Sequence, residues 1–524
     1  MKQEIKQIII ETVKKLFPEI ELENLTVEET QAQFGDYSTN IAMLLAKKVG
    51  KAPKEIAQKI LNELKKDELF KEVSVTGPGF INFTLGSPVW QEKITEIIKR
   101  GEKYGELEIG KGAKTNVEFI SANPTGPLTV GNSRGGVIGD VLSNILKKAG
   151  HSVTREYYFN DKGGQIDILG HSVLGDSEAQ YKGEYISELA KEVNGENARE
   201  VGEKAAQILI QKIKQTVETM GIKFDVWFAE GRDLRDKGKI EEIIVWLKEK
   251  DLAYENEGAL WFKSTQFGDN KDRVLLKSDG EPTYFALDCA YHKNKFAERN
   301  FQKCINVWGA DHHGDVARVK GFVKALGYED KFEILIHQFV RIMSEGKEVR
   351  MSKRAGNFIL VDDLLKEVGR DVYRFFMLQY APDSHLVFDL DLAKEQSQKN
   401  PVFYVQYAYA RIASILAKSH VSITNHQSSP NLQLLNDQTE IELVKQLIKL
   451  PELVEEITSN YQVQKLAFYA RDLAATFHNF YEKCPIIKSG DDNLTAARLS
   501  LLNATQIVLK NTLDLIGVNA PEKM

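Results

Sequence analysis

The chain has 524 residues, of which 42% are hydrophobic and 27% are charged, a composition typical of soluble multidomain proteins. Its formal net charge is −6, so no overall positive field attracts nucleic acid, and such a partner would have to meet local basic patches. Three widely spaced cysteines form no CxxC pair, which excludes a disulfide framework and favours a cytoplasmic location. No signal-peptide pattern and no membrane-spanning apolar run is present, so we expect no membrane partner.

The elements predicted along the chain fall into three regions. Residues 1–105 alternate helical patterns with short strand-like runs, which predicts a small α+β domain. Residues 106–394 interleave strands and helices, which predicts an α/β domain with a parallel sheet, and residues 170–280 look like a long insertion within it. Residues 395–524 carry apolar positions at alternating spacings of three and four, which predicts an all-α helical bundle. The strand-like runs of the α/β region are 116–120, 153–159, 305–308 and 334–336.

The stretch SANPTGPLTVGNSRGG (121–136) joins the first of these strands to an amphipathic helix. Gly126 and Gly131 allow close approach of the backbone, and a helix N-terminus at the carboxyl edge of a parallel sheet favours an anion such as a phosphate. A packed unit whose glycines serve only the turn explains this stretch, taken alone, equally well. The GxGxxG and GxxxxGK[ST] patterns are both absent, so neither common nucleotide fingerprint applies.

A second glycine-bounded stretch, GKEVRMSKRAGNF (346–358), carries Arg350, Lys353 and Arg354. A solvated basic turn is one interpretation. A flexible ammonium in such a loop can also neutralise phosphates as they take up charge. Beside residues 121–136, this loop predicts a two-part clamp for a nucleoside triphosphate.

At these residues the chain resembles the class I aminoacyl-tRNA synthetases, with PLTVGNSRG in place of the HIGH signature and RMSKR in place of KMSKS. More narrowly, it resembles the arginyl-tRNA synthetases along nearly its whole length. The resemblance implies a Rossmann-type catalytic domain, Mg²⁺ with ATP, activation of L-arginine to arginyl-adenylate, and transfer to the 3′ end of tRNA(Arg). The other matching stretches are FGDYSTNIAM, GPGFINF, EFISANPTGPL, REYYFNDKGGQI, TYFALDCAYH, GADHHG, VFYVQYAYARI and APEKM.

The resemblance also implies roles at the clamp. Lys353 would contact the pyrophosphate, and Arg350 replaces the first lysine of the loop. Thr129 and Asn132 replace the two signature histidines; we expect both to donate hydrogen bonds to phosphate oxygens, although neither becomes cationic. The expected catalytic residues are Thr129, Asn132 and Lys353, and the expected ATP-binding residues are Gly126, Gly131, Gly309, Asp311, Met351, Ser352 and Lys353.

Selecting a guanidinium over an ammonium requires a carboxylate set for bidentate contact. By resemblance Asp288 meets the guanidinium, Tyr284 packs against it, and Asn123 and Glu118 hold the α-amino end. Taken alone, Tyr284 and Asp288 fit a helix face with a core tyrosine and a cap. The full expected set of arginine-binding residues is Glu118, Asn123, Gln165, Tyr284, Asp288 and His312.

The stretch GADHHG contains three metal-ligand side chains, Asp311, His312 and His313. Adjacent histidines rarely point at one ion on regular backbone, so we predict no metal site there.

The bundle has 12 Lys plus Arg against 13 Asp plus Glu, so tRNA binding would depend on local contacts. Tyr404, Tyr407 and Arg411 supply aromatic and basic groups for unstacked bases, whereas Tyr409 lies on the apolar stripe and is predicted to be core. The resemblance implies a monomer whose bundle binds the anticodon stem and loop, with the tail nearby. The expected tRNA-binding residues are Phe34, Tyr37 and Asn40 at the tRNA elbow and Tyr404, Tyr407, Arg411 and Met524 in the last region; Phe34 fits a core position equally well.

Two other functions are open to this sequence. The missing histidines fit a non-catalytic tRNA-binding relative, and the clamp alone fits another class I synthetase or a nucleotidyltransferase. Retention of Lys353, Glu118, Tyr284 and Asp288 favours an active arginine enzyme over both.

Overall fold

The computed structural model describes residues 1–22, 24–349, 359–419, 430–487 and 490–524. Arg350, Met351, Ser352, Lys353 and Arg354 of the predicted loop lie outside the described residues. Within those ranges, no helix combines the length and the apolar character needed to cross a membrane.

The strands belong to four sheets. In chain order they are β1 (Glu28–Glu29), β2 (Tyr37–Thr39), β3 (Phe70–Thr76), β4 (Phe80–Leu85), β5 (Lys114–Phe119), β6 (Ser152–Phe159), β7 (Val226–Ala229), β8 (Ala253–Asn256), β9 (Ala259–Phe262), β10 (Arg273–Leu276), β11 (Lys303–Gly309), β12 (Phe332–His337), β13 (Val340–Ser344), β14 (Lys347–Glu348) and β15 (Leu386–Asp389).

The helices surround these sheets and form the last region. In chain order they are α1 (Lys2–Leu16), α2 (Ile41–Val49), α3 (Pro53–Leu64), α4 (Ser87–Arg100), α5 (Val130–Lys148), α6 (Gly164–Leu174), α7 (Glu184–Glu192), α8 (Ala198–Thr219), α9 (Lys239–Glu249), α10 (Tyr284–Lys293), α11 (Val316–Ala325), α12 (Val361–Val368), α13 (Arg370–Met377), α14 (Leu390–Lys394), α15 (Pro401–Lys418), α16 (Gln438–Leu447), α17 (Lys449–Asn460), α18 (Gln464–Lys483) and α19 (Asp492–Ile516).

The first region has the predicted α+β fold. Its antiparallel sheet has the strand order β1-β2-β4-β3 and packs against α1 to α3. Helix α1 packs because Ile5, Ile9 and Val13 recur at helical spacing on one face, and all three are fully buried.

A five-stranded parallel sheet, in the order β12-β11-β5-β6-β7, forms the centre of the molecule and confirms the predicted α/β fold. Strands β5 and β11 are buried on both faces, as parallel strands covered by helices are. The carboxyl ends of β5, β11 and β12 meet at one edge, where ligands bind in such sheets.

The stretch 170–280 is only partly an insertion. It contains α7, α8 and a separate antiparallel sheet in the order β10-β9-β8, but β7 returns to pair with β6 at the edge of the main sheet. The sequence pattern missed β7 because this edge strand has four residues, two of them only partly buried.

Beyond β12, a small sheet in the order β14-β13-β15 precedes the helical bundle of α15 to α19, which was predicted correctly. Tyr409 is 6% exposed and belongs to the bundle core, as predicted. The last helix ends at Gly517, whose φ of 76° suits glycine at a helix C-terminus.

Arg374 of α13 joins the bundle to the α/β region. It is fully buried, and its guanidinium donates to the Ile516 carbonyl (2.9 and 2.7 Å), to the Met220 carbonyl (3.0 Å) and to Asp140 Oδ2 of α5 (2.6 Å). Asn144 of α5 donates to the Leu515 carbonyl at 3.0 Å. Two side chains of the α/β region, Arg374 and Asn144, therefore donate to carbonyls at the end of α19 that have no partner within the helix.

Candidate active site

A cleft of about 710 Å³ opens at the carboxyl edge of the parallel sheet. The turn before α5 forms one wall, and the short 3₁₀ helix after β11 (Ala310–Asp315) forms another. The lining residues include Thr129, Gly131, Asn132, Gly309, Asp311 and His312. The structure therefore brings together predicted ATP-binding residues that lie about 180 positions apart in the chain.

The described part of the predicted loop and the residue that follows the loop reach this cleft. Glu348 and Val349 of the loop, and Ile359 after it, line the cleft. The Val130 amide donates to the Ile359 carbonyl at 3.0 Å, next to a β-bridge between Thr129 and Leu360. The described part of the second stretch, and the residue that follows it, therefore lie beside the first stretch, and Met351, Ser352 and Lys353 lie outside the described residues.

Thr129 and Asn132 form a pair at the start of α5. Thr129 occupies the position before the first helical residue, but its hydroxyl donates to Asn132 Oδ1 at 2.7 Å instead of capping the helix backbone. The amide oxygen of Asn132 accepts this bond. The amide nitrogen, which is the donor group of this side chain, can donate to a phosphate oxygen. Thr129 thus orients Asn132, a relationship that the sequence did not reveal.

Arg134, in the same signature stretch, does not face the cleft. Its side chain is fully buried and donates to the carbonyls of Gln338 (2.8 Å), Ser384 (2.7 Å) and Ala381 (2.9 Å). Burial lowers its pKa to about 10, which still leaves it cationic at neutral pH. The Arg134 guanidinium thus connects α5 to the residue that follows β12 and to the stretch before β15.

The 3₁₀ helix after β11 presents Asp311 and His312 to solvent, with 66% and 56% of their side chains exposed. His312 Nδ1 lies 3.3 Å from Asp315 Oδ2. Gly126 lies apart from the cleft-lining residues and packs against Tyr185, whose hydroxyl donates to the Thr125 carbonyl at 3.0 Å.

Two cleft residues were missed by the sequence analysis. His337, at the end of β12, is buried against Gly135, and burial lowers its pKa to about 4, so it is neutral at physiological pH. Phe339 is 53% exposed and offers an apolar ring to the same cleft. Their position just after a parallel strand is the signal that could have identified them.

The predicted arginine-binding residues lie on α10 (Tyr284, Asp288), β5 (Glu118), the turn that follows β5 (Asn123), α6 (Gln165) and the 3₁₀ helix after β11 (His312). Thr283 caps α10 by accepting a hydrogen bond from the Ala286 amide, which fixes the helix start that carries Tyr284. Tyr284 is 57% exposed, so it is not a core tyrosine. Asp288, one turn further on, has 28% of its side chain exposed, and burial raises its pKa to about 7.

The surroundings of the Asp288 carboxylate bear on its predicted role in arginine binding. Within the described ranges, its carboxylate accepts no hydrogen bond, and its nearest cation is Arg318, with Nη2 3.8 Å from Oδ2. A half-buried carboxylate without donors carries an unmet cost of desolvation, which a planar cation with paired donors relieves.

Glu118 is placed differently from the prediction. It is 4% exposed; its Oε2 accepts from the fully buried Lys295 ammonium at 2.7 Å and its Oε1 from the Ser121 hydroxyl at 3.0 Å. Lys295 also donates to Asn306 Oδ1 at 3.0 Å and lies 4.3 Å from the Tyr291 ring centre. Both carboxylate oxygens of Glu118 are thus engaged within the protein, and Glu118 connects β5 to Lys295 and to the turn after β5.

The turn after β5 holds Asn123 by the backbone and by Gln165. Ile120 and Ser121 have φ values of 66° and 46°, an unfavourable region for both residue types. Asn123 Oδ1 accepts from the Asn160 amide at 3.0 Å, and Asn123 Nδ2 donates to Gln165 Oε1 at 2.7 Å. The structure therefore joins two predicted arginine-binding residues that the sequence separates by 42 positions.

In the bundle, three predicted tRNA contacts form a partly exposed aromatic cluster. Arg411 donates to the Tyr407 hydroxyl at 2.6 Å and stacks 4.9 Å from the centre of that ring. Tyr404 and Tyr407 both contact the imidazole of His478, with ring centres 4.9 and 6.1 Å apart. Met524 is 54% exposed.

The predicted elbow-binding residues divide between surface and core. Phe34 is 42% exposed, whereas Tyr37 is 4% exposed and packs in the core of the first region. Asn40 accepts from the Thr26 hydroxyl at 3.3 Å. Asp36 accepts from the Leu85 amide at 2.7 Å and pairs with Lys445 of the bundle, so it holds two regions together.

Comparison with known proteins identifies the class to which this fold and cleft belong. The family model described as tRNA synthetases class I (R), catalytic domain, matches residues 93–191 and 170–377, which is more than half of the chain. The models described as arginyl tRNA synthetase N terminal domain and DALR anticodon binding domain match residues 3–85 and 405–524. The chain is thus a class I aminoacyl-tRNA synthetase.

Individual relatives narrow the class. The chain is 44% identical to an arginine--tRNA ligase of Caldanaerobacter subterraneus, covering 100% of this chain and 99% of the relative. It is 41% identical to that of Thermotoga maritima, covering 99% of both. The fold matches the Thermus thermophilus arginyl-tRNA synthetase structure with a TM-score of 0.82 over 100% of both chains, at 23% identity. The chain belongs to the arginyl-tRNA synthetases, which ligate arginine to its tRNA in two steps.

Proposed function

We propose that the cleft between α5 and β13 binds Mg-ATP and that Asp288 selects arginine beside it. The arginine carboxylate attacks the α-phosphorus of ATP, pyrophosphate leaves, and a terminal ribose hydroxyl of tRNA(Arg) then displaces AMP from the arginyl-adenylate. The observation that carries the assignment of the pocket is the half-buried carboxylate of Asp288, which accepts no hydrogen bond within the described ranges.

At the phosphates, the chain supplies positioning and charge stabilisation. The Asn132 amide nitrogen donates to a phosphate oxygen, held by Thr129, and Gly131 allows the backbone to approach. Gly126 sets the turn that leads to this site. Gly309 and Asp311 contact the ribose. Lys353 contacts the leaving pyrophosphate, and Met351 and Ser352, which precede it, also bind ATP. These roles are predictions from the sequence. Mg²⁺ enters as part of the ATP substrate, held mainly by phosphate oxygens and water.

Around arginine, Asp288 accepts two parallel hydrogen bonds from the guanidinium, and the exposed ring of Tyr284 covers its face. Asn123, aligned by Gln165, and His312 face the α-amino and carboxylate end. Glu118 contributes indirectly, because its hydrogen bond with Ser121 holds the turn after β5 that carries Asn123.

For tRNA, we propose that Tyr404, Tyr407 and Arg411 stack on anticodon bases and that the exposed ring of Phe34 contacts the elbow. Asn40 and Met524 are additional candidate contacts. Because Tyr37 is buried, we assign it to the core. We further propose domain boundaries at residues 105 and 394, a monomer, and a cytoplasmic location.

The assignment of Asp288 is tested by Asp288→Asn in steady-state aminoacylation. The amide keeps the shape but presents an N–H group to the guanidinium, so we expect kcat/KM for arginine to fall by about 30-fold or more, corresponding to roughly 2 kcal/mol or more for a lost charged pair. Asp279→Asn, in an exposed turn before α10, is the matched control. An unchanged kcat/KM in Asp288→Asn contradicts the assignment.

A further inference from the structure

Arg318 of α11 places a guanidinium of the protein itself beside the predicted guanidinium site. Its side chain is 22% exposed and lies between two carboxylates: Nη1 is 3.1 Å from Asp315 Oδ1, and Nη2 is 3.8 Å from Asp288 Oδ2. The guanidinium carbon also lies 5.8 Å from the centre of the Phe285 ring. Asp315 and Phe285 thus hold Arg318 in place beside Asp288.

The two contacts of Arg318 differ in kind. The 3.1 Å distance to Asp315 is that of a close ion pair, whereas 3.8 Å to Asp288 is too long for a hydrogen bond but close enough for strong attraction between charges. Both oxygens of Asp288 therefore stay free to accept from an incoming guanidinium. Arg318 contributes charge to the site without using the acceptors that the substrate needs.

The remaining surroundings of Asp288 oppose its ionisation. Burial is the largest influence and raises its pKa, and the nearby carboxylates raise it further, whereas Arg318 lowers it. Tyr158 of β6, which lies close to Asp288, has a pKa raised well above its usual value by burial, so it remains neutral. The charged and titratable groups that face Asp288 from the elements packed around it are Arg318 and Asp315 (α11 and the turn before it), Glu118 (β5), Tyr158 (β6), Glu230 (after β7) and Cys289 (α10).

We propose that Arg318 is a positioning residue for arginine recognition, whose fixed charge favours the ionised form of Asp288 and so its availability to the substrate guanidinium. This inference rests on the proposed contact between Asp288 and arginine. A guanidinium suits this role because it does not lose its proton at any physiological pH. The protonated form of Asp288 has lost the charge that selects arginine, so arginine affinity falls as the pH decreases through the pKa of Asp288.

The test is the pH dependence of KM for arginine in aminoacylation, from about pH 6 to about pH 9, in wild type and in Arg318→Gln. An opposite charge at this distance lowers a carboxyl pKa by about 1 to 3 units. We therefore expect the rise in KM at low pH to begin at least one unit higher in Arg318→Gln, with KM about tenfold above wild type at pH 7 and the difference shrinking towards pH 9.

Two further variants separate this effect from a general disturbance. Arg318→Lys retains the charge and should restore most of the wild-type pH profile. Lys320→Gln removes a positive charge from the exposed face of the same helix, where Lys320 pairs with Glu333 at 3.4 Å, and should match wild type. Thermal unfolding of each variant checks that it is folded.

The possible results are distinct. A KM in Arg318→Gln that equals wild type, or that rises by the same factor at every pH, overturns the inference. If Asp288→Asn raises KM while Arg318→Gln leaves the pH profile unchanged, the role of Asp288 stands and only that of Arg318 fails. If Asp288→Asn leaves KM unchanged, the proposed contact itself fails, and the inference fails with it.

Discussion

The proposed arginine pocket and the proposed phosphate cleft lie near the end of β5, yet they are built from different groups. The wall of the cleft formed by the start of α5 presents glycine backbone and two short neutral side chains, Thr129 and Asn132, whose hydrogen bond faces solvent; the exposed Asp311 and His312 line another wall. The strands next to the proposed pocket carry ion pairs whose carboxylates are 4% exposed or less: Lys295–Glu118 at β5, Arg299–Glu156 at β6 and Arg235–Glu230 after β7.

The difference follows from the two ligands. Arginine carries one fixed charge that must be told apart from that of lysine, so the pocket needs charges of fixed position in a low dielectric. The phosphates gain charge during the reaction, so the cleft needs donors that are free to turn toward it. Pocket variants should therefore affect stability and selectivity, and cleft variants should affect rate alone.

The largest expected effect is on the pocket. Lys295→Met leaves the buried Glu118 without its cation, and breaking a buried ion pair in this way costs about 3 to 5 kcal/mol of stability. Urea unfolding followed by circular dichroism measures it. Lys320→Met, on an exposed lysine, is the control and should change stability by less than about 0.5 kcal/mol. Adding Glu118→Gln to Lys295→Met should recover part of the loss, and a double variant less stable than the single one contradicts the pairing.

The next effect concerns the cleft. Asn132→Ala removes the amide donor, and losing one such donor lowers the rate of a charge-developing step by about 100- to 1,000-fold. Arginine-dependent ATP–pyrophosphate exchange with tRNA present measures it, and the urea midpoint should not move. Asn256→Ala, on the exposed strand β8, is the matched control. Wild-type exchange in Asn132→Ala refutes the donor role, and a shifted unfolding midpoint removes the contrast with the pocket.

The smallest effect is that of Thr129→Val, which removes only the hydroxyl that orients Asn132. The loss of one neutral hydrogen bond is worth about 1 kcal/mol, so we expect exchange to fall about fivefold. Thr129→Ser keeps the hydroxyl and should remain near wild type. A loss as large as that of Asn132→Ala would mean that Thr129 contacts the phosphates directly.

Much of the architecture could be predicted from the sequence because it depends on local periodicity. The parallel strands, the helix after the glycine turn and the bundle all have apolar patterns of sufficient length. The four-residue strand β7 and the small sheets around it have no such pattern, because pairing with distant partners, and not local propensity, makes them strands.

The site was predictable only as far as motifs reach. Asn132, Tyr284 and Asp288 lie in matching stretches; the structure places Asn132 at the cleft, and the arginine-binding roles of Tyr284 and Asp288 stay predictions. Lys295 and Arg318 escaped because their roles depend on partners 177 and 30 positions away, and spacing alone reveals neither contact. Tyr37 shows the reverse error, because a motif residue was assigned to the surface although the fold buries it.

The contacts of Arg374 have a consequence for synthesis on the ribosome. This buried guanidinium lies at the back of the catalytic region, yet two of its four hydrogen bonds go to the carbonyl of Ile516. A nascent chain that ends before this residue leaves a buried cation with half of its hydrogen bonds missing, a costly state in a low dielectric. The catalytic region therefore reaches its final packing only after α19 has been translated, so partly made chains remain in an unfinished form.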